Sequence, residues 1–243
     1  MVLHVLETPD LLGQKAAGHT AELINDAIDK NGTARIVMST GSSQFETINY
    51  LRRQKIDWAK VEMFHLDEYI GIDSSHPASF VKYLKERFIG SDLSLKHAYF
   101  IDGMRDSQQV IYEMTKSILE KPVDIALIGI GENAHIAFND PPADFDTKEA
   151  FIVVDLDDIC KNQQVREGWF NTINDVPKQA ITMTAHQIMQ AKAIISCVPH
   201  SQKAPAIKNV MENEVTNMIP ATILKNHENW TLYLDKASAS QLN

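Results

Sequence analysis

Ile125-Ala-Leu-Ile-Gly-Ile130, running straight into Gly131-Glu-Asn-Ala-His135-Ile-Ala-Phe-Asn-Asp140-Pro-Pro142, is the stretch on which the fold turns. A short apolar run with no alternation suits a strand covered on both faces, as parallel strands are. The segment behind it superficially matches a dinucleotide-binding turn at Gly129-x-Gly131-x-x-Ala134. That reading needs a helix to open at once. Asn139-Asp140-Pro141-Pro142 argues against a long one, because proline removes a donor and pushes the preceding residue out of helical conformation. What is left is a strand ending in a tight loop that presents Asn133, His135 and Asp140 together.

Working outward, similar short runs recur at 34–39 (ARIVMS), 61–65 (VEMFH), 98–101, 151–156, 180–183, 193–198 (AIISCV) and 230–234. Helical segments are expected between them. Thr8 and Pro9 read as N-cap and first residue of a helix that Asn31-Gly32 ends. Further helices are expected near 43–54, 79–88, 106–119, 161–168, 184–190, 203–212 and 236–242. Strands alternating with helices mean right-handed βαβ units. The expected fold is therefore α/β: a doubly wound, mostly parallel, Rossmann-like sheet with helices on both faces, as one domain over residues 1–243. Such sheets bind ligands at the carboxyl ends of their strands, beside a topological switch point. The residues just after each strand therefore carry the functional information.

Composition narrows the classes. The chain has 243 residues, 44% hydrophobic and 23% charged, an ordinary globular balance. Its formal charge of −9 gives no bulk attraction to nucleic acid or to an anionic membrane, and neither is an expected partner. Cys160 and Cys197 have no CxxC neighbour, so free thiols and a cytoplasmic setting are expected. The N-terminus carries acids by residue 7 and no basic run, unlike a secretory leader. No apolar stretch approaches the roughly 20 residues that span a bilayer.

Three further loops follow strands. Thr40-Gly41-Ser42-Ser43 stands at a strand-to-helix turn, where backbone N–H groups and a helix end suit an anion; an ordinary N-cap turn reads the same way. Asp67-Glu68-Tyr69 offers a carboxylate as general base, or a solvated acidic loop with Glu68 a surface charge. Lys203, after His200-Ser201-Gln202, is either a point-charge clamp for an anion or a surface lysine. His135, flanked by the amide of Asn133 and the carboxylate of Asp140, makes a workable proton-transfer unit. No HxxxH or HExxH spacing and no Gly-x-Ser-x-Gly elbow is present, so neither a metal site nor a hydrolase triad is expected.

Together these loops resemble the glucosamine-6-phosphate deaminase (isomerase) family, which shares its superfamily with the 6-phosphogluconolactonases. The matching stretches are Thr40–Ser43, Leu66-Asp67-Glu68-Tyr69-Ile70-Gly71 with His76-Pro-Ala-Ser79, Gly129 to Asn139, Val176-Pro-Lys178 and Ser201-Gln-Lys-Ala204. They fall in the family's order from about residue 8 to 235. Lactonases carry Asp-Glu-Arg where this chain has Asp67-Glu68-Tyr69, which favours the deaminase side. The resemblance implies that His135 opens the ring of an amino-sugar phosphate and Asp67 moves a proton between C2 and C1. Water then releases ammonia from a C2 imine, leaving fructose 6-phosphate. It also implies that Thr40, Gly41, Ser42, Ser43 and Lys203 hold the phosphate, with no metal or organic cofactor.

This chain departs from the family in having Asn133 where an acid is common, Asp140 for a glutamate and Ala134 for a glycine. Arg166 is the nearest candidate for the family's phosphate-binding arginine. The competing expectations are a sugar-phosphate lactone hydrolase and a catalytically weak sugar-phosphate-binding protein. The oligomeric state is left open, a homo-oligomer included.

Overall fold

The first helix, α1 (Pro9–Asn31), begins and ends where local chemistry directs. Thr8 is extended and accepts the Leu11 N–H, Pro9 fills the first helical position, and Gly32, at φ 77°, closes the last turn on Ile28 O. The computed structural model describes residues 1–242. Six further helices follow among them: α2 (Phe45–Leu51), α3 (Phe80–Tyr83), α4 (Ser107–Leu119), α5 (Asp158–Arg166), α6 (Ala185–Ile188) and α7 (Ala204–Glu212). A π-helical turn, Leu84–Ile89, prolongs α3.

The strands are β1 (Val2–Leu6), β2 (Ala34–Met38), β3 (Val61–His65), β4 (Asp67–Tyr69), β5 (His97–Tyr99), β6 (Ile125–Leu127), β7 (Phe151–Asp155), β8 (Gln179–Met183), β9 (Ala193–Val198) and β10 (Trp230–Asp235). Seven form one sheet in the order β1-β10-β9-β6-β2-β3-β5, every neighbouring pair parallel. Alternate residues of a strand face opposite ways. Val37 and Phe64 accordingly pack with α4, α6 and α7 on one face, while Ile36, Met38 and Met63 pack with α1, α2 and α3 on the other. The chain winds outward from β2 through β3 to β5, then returns to β6 on the other side of β2. The β2–β6 boundary is the switch point, and the loops after these two strands meet there.

The expected doubly wound parallel sheet is what the chain forms, with three corrections. The runs at 151–156 and 180–183 leave that sheet: β7 and β8 pair antiparallel, with β4 on the far edge of β8. In β7 only Phe151 is buried and the residues after it are partly or fully exposed, unlike a strand covered on both faces. Strand β1 was not expected; it sits on the sheet's edge with Val2, Leu3 and Val5 exposed, so it lacks the buried run that marks the others. The segment expected as a helix at 236–242 is a succession of turns, held by Asp235, which accepts the Ser238 N–H.

Candidate active site

One cleft lies at the switch point, on the carboxyl ends of β2, β3 and β6. It is lined by Ser39 to Ser43, Asp67, Phe80, the 129–138 loop, three residues of the α5 segment and Lys203. Of the residues singled out in the sequence, Thr40, Gly41, Ser42, Ser43, Asp67, His135 and Lys203 line it. Asn133 and Asp140 do not; they stand behind His135.

The small antiparallel sheet sets Asp67 against His135. Asp67 pairs with Thr182 of β8, and the Thr182 hydroxyl accepts the Phe138 N–H at 3.0 Å. Asn139 donates to Met183 O at 2.9 Å, tying the other end of the loop to the same strand. One strand therefore carries both walls. The loop itself is tight: Ala134 and Ala137 hold positive φ values of 65° and 52°, a conformation costing an alanine about 1–2 kcal/mol. Gly131 is required by close approach, since a Cβ there would meet His135 ring atoms at 2.3 Å.

Asp67 is 6% exposed, and its carboxylate has no hydrogen-bond partner among the described residues. Burial pushes its carboxyl well above the usual range, and the neighbouring Glu68 charge pushes the same way. A carboxylate so held takes up a proton more readily than an exposed one. Glu68 is no surface charge, contrary to the solvated-loop alternative. It is 1% exposed and accepts from Tyr69 N, Ser79 Oγ, Phe80 N and Val81 N at 2.7–3.3 Å, capping α3. Burial raises its carboxyl, and those four donors oppose the rise without cancelling it.

Behind His135, the Asn133 side chain bridges two groups. Its amide donates to Asp140 Oδ1 at 3.0 Å, and its oxygen accepts the His135 N–H at 3.1 Å. His135 Nδ1 lies 3.0 Å from the same Asp140 oxygen, but off the line of a hydrogen bond, so the contact is electrostatic. Burial would raise the Asp140 carboxyl; His135 and Asn133 outweigh it and hold the group below the usual range. The Cys160 thiol approaches this pair from α5, all three polar atoms lying within 4.8 Å of one another. Burial, with Asp140 beside it, drives that thiol up and keeps it protonated.

At the other end, Gly41 adopts φ 101°, a glycine conformation, and turns the chain into the 3₁₀ turn before α2. Lys203 is 8% exposed and forms no ion pair within 4.0 Å among the described residues. It is no surface lysine. Burial lowers its ammonium, against the charges of Glu167 and Glu132, which raise it. Arg166 does not line the cleft: it is half-exposed and pairs with Glu132. In its place the α5 segment contributes Gln163, Gln164 and Glu167, which sequence reasoning missed. Glu167 accepts from Gln163 Nε2 at 2.8 Å, Trp169 Nε1 at 3.1 Å and Ser42 Oγ at 3.4 Å. Their spacing, one helical turn beyond Cys160 and with large polar groups on a single face, is the signal that could have marked them.

The same fold occurs in known proteins. Residues 7–233 match the model of the glucosamine-6-phosphate isomerases/6-phosphogluconolactonase family. A glucosamine-6-phosphate deaminase of Streptococcus suis (strain 05ZYH33) is 36% identical over 212 residues, 87% of this chain and 88% of the relative. One from Lactobacillus delbrueckii subsp. bulgaricus (strain ATCC BAA-365 / Lb-18) is 33% identical over 243 residues, the full length of both. The solved structure of a monomeric glucosamine-6-phosphate deaminase superposes with a TM-score of 0.88 at 27% identity, covering 99% of each chain. With the family's model spanning nearly the whole sequence and its loops gathered around one cleft, this chain belongs to the glucosamine-6-phosphate isomerase/6-phosphogluconolactonase family.

Proposed function

We propose that the protein converts glucosamine 6-phosphate and water to fructose 6-phosphate and ammonia. The observation that carries this reading is Asp67: a buried carboxylate without a partner, raised by desolvation, facing the same cleft as His135. His135, backed by Asp140, opens the closed sugar by proton transfer at the ring oxygen. Asp67 then takes the proton from C2 and returns it to C1 as the aldehyde oxygen gains one. That turns the C1 aldehyde into an alcohol and the C2 amine into an imine, and water replaces the imine nitrogen as ammonia. General-base catalysis by a group tuned toward the working pH is what such a carbon acid needs. The Thr40–Ser43 turn and Lys203 hold the phosphate, Lys203 being the one lysine or arginine of the lining among the described residues.

The substrate is thus a small sugar phosphate, with nucleic acid and membrane left out of its partners. No helix of the described residues is long and apolar enough to cross a membrane. Cys160 and Cys197 are both free and buried, which supports a cytoplasmic setting. Incubation with glucosamine 6-phosphate and measurement of ammonia tests the reading. Ammonia release with stoichiometric fructose 6-phosphate is expected. Hydrolysis of 6-phosphogluconolactone without ammonia release would make the protein a lactonase, and binding without either reaction would make it a sugar-phosphate-binding protein.

A further inference from the structure

The inner face of α5 runs from behind His135 to the Thr40–Ser43 turn, and Gln163, Gln164 and Glu167 of this segment line the cleft. Cys160, near its start, lies against His135 and Asp140. Glu167, just past its end, is bonded to Ser42 of the phosphate turn. Gln164 stands between them, one turn after Cys160 and nearly one before Glu167. At 1.5 Å per residue the distance from Cys160 to Glu167 along the axis is about 10 Å, enough for a six-carbon chain reaching from its reacting carbons to its phosphate. Gln164, which lines the cleft, stands near the middle of that length.

The side chains around it are used up and Gln164 is not. Gln163 accepts the Glu132 N–H and donates to Glu167, whose carboxylate takes two more donors. The Gln164 carboxamide lines the cleft, is 7% exposed, and has no hydrogen-bond partner among the described residues. A carboxamide on the cleft wall with no protein partner keeps two donors and an acceptor available to a ligand in the cleft. Sugar hydroxyls, which both donate and accept, fit that carboxamide in chemistry and position.

We infer that Gln164 is the specificity residue that reads the configuration of the C4 hydroxyl, midway between the reacting C2 and the phosphate-bearing C6. The inference rests on the deaminase reading of the cleft and extends it to the choice between C4 epimers. Sites built to hydrogen-bond a hydroxyl reject analogues that misplace it, because the protein group is then left unpaired.

The test compares glucosamine 6-phosphate with its C4 epimer, galactosamine 6-phosphate, on wild-type protein and Gln164→Ala. Wild type should favour one epimer in kcat/KM by roughly tenfold or more. Gln164→Ala should lose most of that ratio, chiefly by weakening the favoured epimer, at an unchanged Tm. A variant that keeps the ratio, or a wild type indifferent to C4, overturns the inference. A parallel calorimetric titration uses glucitol 6-phosphate and galactitol 6-phosphate, which cannot be deaminated. Epimer-selective binding that disappears in Gln164→Ala supports the role of Gln164 even if no ammonia is released, a result that would refute only the deaminase reading. Binding of both hexitols alike overturns the inference while leaving that reading intact.

Discussion

Replacing Asp67 by asparagine keeps the side chain's size and removes its basicity. No hydrogen bond is lost, since the carboxylate has no partner among the described residues. An amide cannot accept the C2 proton, so kcat for ammonia release should fall by roughly 10²–10⁴-fold, the usual worth of a general base. At 1.36 kcal/mol per decade this is about 2.7–5.4 kcal/mol on the barrier. Stability should move the other way. Burial, joined by the Glu68 charge, places the Asp67 carboxyl well above the ordinary value, so the folded state holds that proton more tightly than the unfolded chain does. As pH rises from about 4, the unfolded carboxyl ionises first and folding loses stability until the raised value is passed. Asparagine does not ionise and escapes that penalty. The variant should melt higher at neutral pH, by about 2–4 °C for each kcal/mol recovered, and the gap should close on acidification toward pH ~4. Ammonia assays under saturating substrate, with thermal melts from acid to neutral pH, measure both. An unchanged kcat would remove Asp67 as the base, and a lower Tm at neutral pH would mean that the carboxylate stabilises the fold.

Lys203→Ala should raise KM by roughly ten- to a hundred-fold with little change in kcat, the loss of a charge-assisted contact worth about 1.5–3 kcal/mol. Because burial lowers the Lys203 ammonium, wild-type KM should climb as alkaline pH strips its proton, and the variant's KM should lack that limb. Asp140→Asn should cut kcat by at least roughly tenfold. Its depressed carboxyl contributes stability above its ordinary range, lost as pH falls, so the variant should melt lower at neutral pH; a lower Tm with normal kcat would take Asp140 out of the proton relay. Glu68→Ala strips the acceptor from three backbone N–H groups and the Ser79 hydroxyl, at about 1–3 kcal/mol each. Tm should drop by roughly 8 °C or more, and a drop under about 2 °C would show that water replaces the carboxylate.

The order of apolar runs, the caps around α1 and the proline-blocked loop at 131–142 made the doubly wound sheet legible in the sequence, because each is dictated by neighbours along the chain. The same holds for the loops after the strands: in an open parallel sheet, chain direction alone sends Thr40–Ser43, Asp67 and His135 to one edge. Tertiary structure decided what depends on partners distant in sequence. Glu68 and Asp67 are adjacent carboxylates with no local difference between them. Only the packing of α3 turns one into a cap and leaves the other facing the cleft. Strands β7 and β8 carry enough apolar residues for the main sheet, yet pair with β4 instead, and so place Asp67 opposite His135. Gln163, Gln164 and Glu167 look like solvated helix residues until α5 is docked. Docking then turns their polarity, ordinary on a surface, into internally matched hydrogen bonds and a free carboxamide along the cleft wall.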